Sequence, residues 1–434
     1  MYKKIQEDII DKKIDDFFDG KSVVVGKGEQ KTITTLSTSR KFREEIKACL
    51  KGLCTLHPPK GVYEPFYIGS KKQLDLTRSI VFRNGVYHVM EDRLEPLASD
   101  IFVTSTLPYD YNPNNECPLW LWFVYDIFDG DEECMALLQE WFGYNLIASN
   151  HMEQMMFLFG VPGSGKSTTA DVLEALLGPD RYYSADIEQF TARFGFECLL
   201  GKYALIINDD SEVDRNKLNK ILNRFKRITG QDTMNINRRY RKSINVKPTW
   251  RITYVGNTMP EFNDEPQALL RRINLLYFAN SYYQQPEGPD RTLKCRLIKE
   301  APGIAVWAIK GLKRLLENRI FTQPKTSIKH IQDFNLLINP LQAMVDECCE
   351  ICKTPAESLK YVTAREHLFE LHKAWYEENN LKSLGKASFG MKFHNIGLSN
   401  VIKKQIMTQG ERVTVYQGIK ILPSAYKKYL GGLK

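Results

Sequence analysis

Nothing in this sequence stays apolar long enough to cross a membrane. Its apolar stretches, such as Met155–Phe159 and Ala204–Ile207, run for a handful of residues, against the roughly 18 that a spanning helix needs. No secretory leader is expected at this end either: Met1-Tyr2-Lys3-Lys4 opens into an amphipathic, charge-rich stretch with no apolar centre. Cysteine is scarce, 9 in 434 residues, odd in number and scattered. That excludes a disulfide-stapled miniprotein and fits free thiols in a reducing cytosol. Repeats and low-complexity tracts are absent. With 43% hydrophobic and 26% charged residues, the balance is that of a folded chain rather than a disordered one. The length suggests about three domains.

One scarcity is local. The net charge of +8 is by itself only a hint of a polyanionic partner. Residues 215–251, however, hold twelve Lys and Arg and a single acid, Asp232, so this segment carries +11 and the rest of the chain −3. Within it, Met234–Val246 alternates apolar and polar residues on both sides of a basic, aromatic tip, Arg238-Arg239-Tyr240-Arg241-Lys242. The pattern predicts a β-hairpin. Cations for phosphates and a ring for a base are the mixture that single-stranded nucleic acid requires. A solvated charged face is the plainer alternative, but such faces usually intersperse acids.

What is present upstream is a complete phosphate-loop motif. Gly160-Val161-Pro162-Gly163-Ser164-Gly165-Lys166-Ser167 matches G-x-x-x-x-G-K-[ST]. The apolar strand Met155–Phe159 precedes it, and a helix over Thr168–Leu177, stopped by Gly178-Pro179, follows. Glycines let backbone N–H groups turn toward phosphate oxygens, and the helix N-terminus adds its dipole. The cofactors implied are ATP and Mg²⁺. Gly160, Pro162, Gly163, Ser164, Gly165 and Thr168 would line the loop, Lys166 would reach the β- and γ-phosphates, and Ser167 would ligate the metal.

Further on, the strand candidate Ala204–Ile207 ends in Asn208-Asp209-Asp210. We assign Asp209 to Mg²⁺ and Asp210 to the attacking water, although either carboxylate suits either role. An Asx turn before a helix is the bland alternative. A strand over Arg251–Val255 runs on to Asn257, an amide able to sense the γ-phosphate, with a plain turn asparagine in Asn257-Thr258-Met259-Pro260 as the bland alternative. Arg271 and Arg272 stand just before a strand at Asn274–Phe278. Arginine on a γ-phosphate stabilises transition-state charge strongly.

Four strands alternating with helical or polar stretches over residues 155–280 predict an α/β sheet. We divide the chain into an N-terminal α+β region (1–115), a helical collar-like region (116–150), the phosphate-loop core (151–285), a helical segment (286–340) and a winged-helix-like end (341–434). In the first, Asn84-Gly85 is the expected hairpin turn. In the last, the β-pair is expected at Val413–Tyr416 and Gly418–Leu422. The stretch around Trp120 and Trp122 is apolar on every side and is expected in the core.

Phosphate loop, acidic strand end, basic hairpin, amide and arginine pair fall in this order within about 110 residues. The order resembles that of superfamily III helicases, AAA+-related motors of small viruses, phages and plasmids, and most closely the poxvirus-type and phage/plasmid P4-type primase-helicases. Cys117–Asn145, Leu94-Glu95-Pro96-Leu97, Gly230-Gln231-Asp232, Asn257-Thr258-Met259-Pro260, Ala374-Trp375-Tyr376 and Ser388-Phe389-Gly390 are similar to that family too. The resemblance implies an AAA+-like ATPase fold, a hexameric ring in the host-cell cytoplasm, and 3′-to-5′ travel on single-stranded or forked DNA. It further implies a hairpin tip that lines the channel, and Arg272, or second Arg271, as a finger acting in trans. Residues 1–115 show no convincing primase metal motif, which puts priming in doubt and leaves two readings open: a stand-alone helicase served by a separate primase or polymerase, or a fragment of something longer. Two other readings stay open: an ATP-switched replication initiator that does not unwind, and a small-molecule kinase.

Overall fold

The computed structural model describes residues 7–25, 31–53, 64–68, 74–209, 215–257, 271–284, 288, 290–330, 340–379, 381–396, 398, 400–408 and 411–431. At the N-terminus, α1 (Glu7–Phe18), the hairpin β1 (Ser22–Val25) and β2 (Thr32–Thr35), and α2 (Arg40–Leu53) form a small unit, with Arg43 paired to Asp15 at 2.9 Å. Next, β3 (Phe66–Tyr67) pairs with β7 (Ile101–Phe102), and β4 (Ser79–Phe82), β5 (Gly85–His88) and β6 (Arg93–Pro96) make an antiparallel sheet. The expected hairpin is there, but its turn lies one residue earlier. Phe82 pairs with Gly85, so Arg83 and Asn84 make the turn. The Asn84 side chain instead bonds both backbone groups of Tyr111, at 2.9 and 3.0 Å. Gly85 answers to close packing: a Cβ there would lie 2.5 Å from the carbonyl oxygen of Glu95.

A helical unit follows, built from two distant parts of the chain. Its members are α3 (Pro118–Ile127) and α4 (Glu132–Leu146), then α8 (Leu293–Lys299) and α9 (Ala301–Asn318). Asp131 caps α4 through the N–H groups of Glu133 and Cys134. Glu300, at the α8–α9 joint, accepts from the N–H groups of Leu119 and Trp120 and so caps α3 from 180 residues away. Trp120 is fully buried, as expected. Trp122 and Tyr125 are not: they are 55% and 60% exposed, because no described element covers that face of α3.

The core is a five-stranded parallel sheet. Its strands are β8 (Met155–Gly160), β9 (Tyr182–Ala185), β10 (Ala204–Asp209), β13 (Arg251–Gly256) and β14 (Ile273–Phe278), in the spatial order β14-β8-β13-β10-β9. Strand alternation splits the side chains between two cores. Met156, Leu158, Ala204, Ile206, Val255 and Leu276 face α5 (Lys166–Leu177) and the helical unit. Met155, Phe157, Leu205, Ile207, Ile252 and Tyr254 face α7 (Arg215–Thr229). Burial on both faces is why these strands read as continuous apolar runs. A short helix, α6 (Ile187–Thr191), follows β9, and the hairpin β11 (Met234–Arg238) and β12 (Arg241–Val246) stands between α7 and β13. Buried Arg181 donates to the carbonyls of Val81 and Ser105 and ties the N-terminal sheet to the core.

The C-terminal unit runs α10 (Pro340–Cys348), β15 (Cys349–Ile351), β16 (Val362–Ala364), α11 (Arg365–Glu378), α12 (Lys386–Asn395), β17 (Ile402–Thr408), β18 (Glu411–Gln417), β19 (Ile419–Ile421) and α13 (Pro423–Leu430). The expected strand pair is corrected here. Val413–Tyr416 lies in β18, which pairs with β17, whereas β19 pairs with β15. The sequence conceals β17 because its residues are exposed on both sides, Ile406 and Met407 included. Among the described residues, no helix is long and apolar enough to cross a membrane.

Candidate nucleotide site and basic hairpin

The glycine-rich loop joins β8 to α5 at the C-terminal edge of the sheet, where parallel α/β sheets take ligands. Gly163 and Gly165 have φ of +72° and +96°, a backbone that L side chains rarely adopt. No side chain caps the N-terminus of α5, so its first N–H groups remain for an anion. The Lys166 ammonium is buried among loop oxygens, 2.9 Å from Gly160 O, 2.6 Å from Val161 O and 3.3 Å from Ser164 Oγ. Ser167, one residue further on, is exposed and Thr168 half-buried.

Strand register brings the other candidates to this edge. Asp209 pairs with Gly256, Gly256 with Phe159, and Phe278 with Gly160. Asp209 therefore ends β10 level with the start of the loop. Exposed Asn257 follows β13, the strand between them. Asp210 and Thr258-Met259-Pro260 lie outside the described residues. The uncapped loop backbone and the exposed Ser167 hydroxyl suit a Mg²⁺-triphosphate, with hard oxygen ligands for the metal.

Arg271 and Arg272 stand at the opposite edge. Ile273 pairs with Met155, the first residue of β8, and a strand of this length spans roughly 17 Å. No arginine side chain covers that distance to its own glycine-rich loop. The Arg272 guanidinium donates to Lys226 O at 3.1 Å and Thr229 Oγ1 at 3.0 Å, at the end of α7, and lies 3.8 Å from the Glu153 carboxylate. Arg271 is exposed, and its guanidinium has no partner among the described residues.

The hairpin forms where the alternation predicts it. Met234 and Ile236 are buried in the α7-side core and root it. Arg239 and Tyr240 make a two-residue turn, with Arg238 paired to Arg241. Arg239 is partly engaged: its N–H donates to Glu197 at 2.9 Å and its guanidinium lies over the Phe194 ring. Arg238 Nε donates to Lys242 O. Tyr240 is fully exposed at φ +56°. A bulky residue pays for that backbone with strain, where glycine would not. Packing does not account for the ring, so its outward display is a candidate for function.

Several residues that no motif marks complete the site. Phe123 and Ile127 of α3 roof the loop: a Cβ on Gly165 would lie 3.2 Å from each. Tyr282, just after β14, donates its N–H to Gly163 O at 3.0 Å and its hydroxyl to Asp126. Burial, then that carboxylate, raises its phenol pKa, so it stays the donor. The sequence signal is Ser281-Tyr282-Tyr283, separated from the end of an apolar strand at Phe278 by Ala279-Asn280.

Fold and site together define an α/β protein with a glycine-rich loop at the C-terminal edge of a parallel sheet and a displayed basic hairpin. Known proteins narrow this. Residues 30–129 match the family described as "D5 N terminal like". Residues 158–272, from the end of β8 to Arg272, match a family of unknown function, DUF5906. An alignment 170 residues long, covering 36% of this chain and 89% of the relative, is 23% identical to the uncharacterized mitochondrial protein ymf21 of Marchantia polymorpha. Among solved structures, the apo C-terminal region of NrS-1 (305–718) is similar over 95% of this chain and 99% of its own, at 15% identity and a TM-score of 0.48. Its A form aligns over 93% and 96%, at 16% and 0.47.

Proposed function

We propose that this chain is the ATP-driven helicase of a mobile element's replication machinery, a superfamily III-type motor that works as a ring on single-stranded DNA. The observation that carries the reading is the placement of α7. It begins just beyond the acidic end of β10 and ends at the root of the basic hairpin. At 1.5 Å per residue it spans roughly 22 Å. In this reading a change at the γ-phosphate would reach the root of the basic hairpin along one helix, and the tip through the hairpin itself. The D5-like match over residues 30–129 supports the same assignment.

In this reading the loop amides and Lys166 bind and orient the triphosphate. Ser167 and Asp209 would hold Mg²⁺, which when bound would supply Lewis-acid charge neutralisation at the phosphate oxygens. Asp210 accepts a proton from the attacking water, and Asn257 orients it. The reading is tested by ATPase activity with and without single-stranded DNA, together with strand displacement on forked duplexes. DNA-stimulated hydrolysis with unwinding is expected. Stimulation without unwinding would favour an initiator, and phosphate transfer to a small acceptor a kinase.

The hairpin gives a sharper test. Arg239 leans on Phe194, so the outward contact falls to Tyr240 and Arg241. Replacing both by Ala is expected to weaken binding of a labelled oligonucleotide roughly 10- to 100-fold, the range for one stacked ring plus a phosphate contact. Hydrolysis without DNA should be unchanged. Anisotropy titrations showing wild-type affinity in the variant would remove the hairpin from the DNA path.

A further inference from the structure

The segment after β14 is fastened to the glycine-rich loop at successive residues. Val161 N donates to Phe278 O at 3.1 Å, Ser281 Oγ to Pro162 O at 2.9 Å, and Tyr282 N to Gly163 O at 3.0 Å. Next comes Tyr283. Its ring takes the place a side chain would have at residue 163: a Cβ on Gly163 would lie 2.3 Å from Tyr283 Cδ2. Yet Tyr283 remains 67% exposed. An exposed aromatic alone needs no explanation. This one is held beside the loop by its neighbours' hydrogen bonds and is left uncovered.

The strand order says which end of a nucleotide it would meet. In the sheet, β14 and β13 flank β8 on opposite sides. Asn257 and Asp209 end β13 and β10, on one side of the loop, and Tyr283 follows β14 on the other. A triphosphate whose γ-phosphate faces Asn257 and Asp209 directs its nucleoside away from them, toward Tyr283. We propose that Tyr283 is the stacking platform for the nucleobase. The assignment rests on the nucleotide-site reading above and adds to it the residue that distinguishes a nucleotide from a bare polyphosphate. A flat base and a tyrosine ring are complementary faces, and one such stack is worth a measurable part of the affinity.

Titration calorimetry with a non-hydrolysable ATP analogue and with inorganic tripolyphosphate, both with Mg²⁺, tests it. Tyr283→Leu keeps apolar bulk against Gly163 and removes the π face. It should weaken the analogue roughly 10- to 100-fold and leave tripolyphosphate within about twofold of wild type, while Tyr283→Phe should bind both normally. In Tyr283→Trp, indole emission should respond to the analogue and not to tripolyphosphate, a readout that does not depend on the Leu variant folding. Equal weakening of both ligands by Tyr283→Leu would reduce the ring to a brace for the loop. Unchanged analogue binding, or a Trp signal blind to it, would overturn the platform. Wild-type protein that binds neither ligand would instead overturn the nucleotide site itself.

Discussion

Lys166→Ala is expected to lower ATP hydrolysis about a thousandfold, the scale of losing a preorganised charge from a phosphoryl-transfer site. The ammonium is buried among the oxygens of Gly160, Val161 and Ser164. A cation so placed is stripped of most of its water, and a phosphate oxygen that joins it gains more than it would in solvent. Lys166→Arg is expected to fail as well, because a planar fork does not fit where a compact point charge is encircled by carbonyls. Oligonucleotide binding through Tyr240 and Arg241 should stay within about twofold of wild type, because the hairpin is rooted next to the α7 end of the core rather than at the loop. Steady-state phosphate release and anisotropy on the same preparation check both halves. Hydrolysis above roughly a tenth of wild type would remove Lys166 from the chemistry.

Much of this site is legible in the sequence for a local reason. A phosphate loop must be strand, tight turn and helix in one continuous stretch, so its motif and its fold are the same information. The same holds for the hairpin, whose alternation from Met234 to Val246 is a property of adjacent residues. The strands were readable because burial on both faces makes them apolar throughout. What was not readable depends on parts of the chain meeting in space. Trp122 has apolar neighbours in sequence but stays more than half exposed, with no described element over it. Gly85 looks like a turn residue until β6 is seen to press on it. β17 carries no apolar face and is recognised only through its pairing with β18. The roles of Tyr282, Tyr283 and Asp126 at the loop require β14 to lie beside β8, which no local pattern encodes.

The arginine pair is where the structure most changes the expectation. Sequence order and family resemblance favoured Arg272 as the trans-acting finger. In the fold, Arg272 is committed to the end of α7 and to Glu153, while Arg271 is exposed. We therefore propose Arg271 for the finger and Arg272 for holding the hairpin-bearing helix against the sheet. Arg271→Ala is expected to reduce hydrolysis roughly 10³-fold or more, as for other arginine fingers, with thermal stability near wild type. Arg272→Ala should instead destabilise the protein by about 1–2 kcal/mol, the scale of lost charge-assisted hydrogen bonds at a half-buried site, read as a lowered Tm. Because both arginines lie at the sheet edge away from their own loop, Arg271 can act only on a neighbour's, through a head-to-tail interface of the kind that closes rings. Mixing Lys166→Ala and Arg271→Ala subunits creates interfaces that combine an intact loop with an intact finger. Hydrolysis should then return, although each parent is inactive. A mixture as inactive as its parents, under conditions where subunits demonstrably exchange, would place the finger elsewhere.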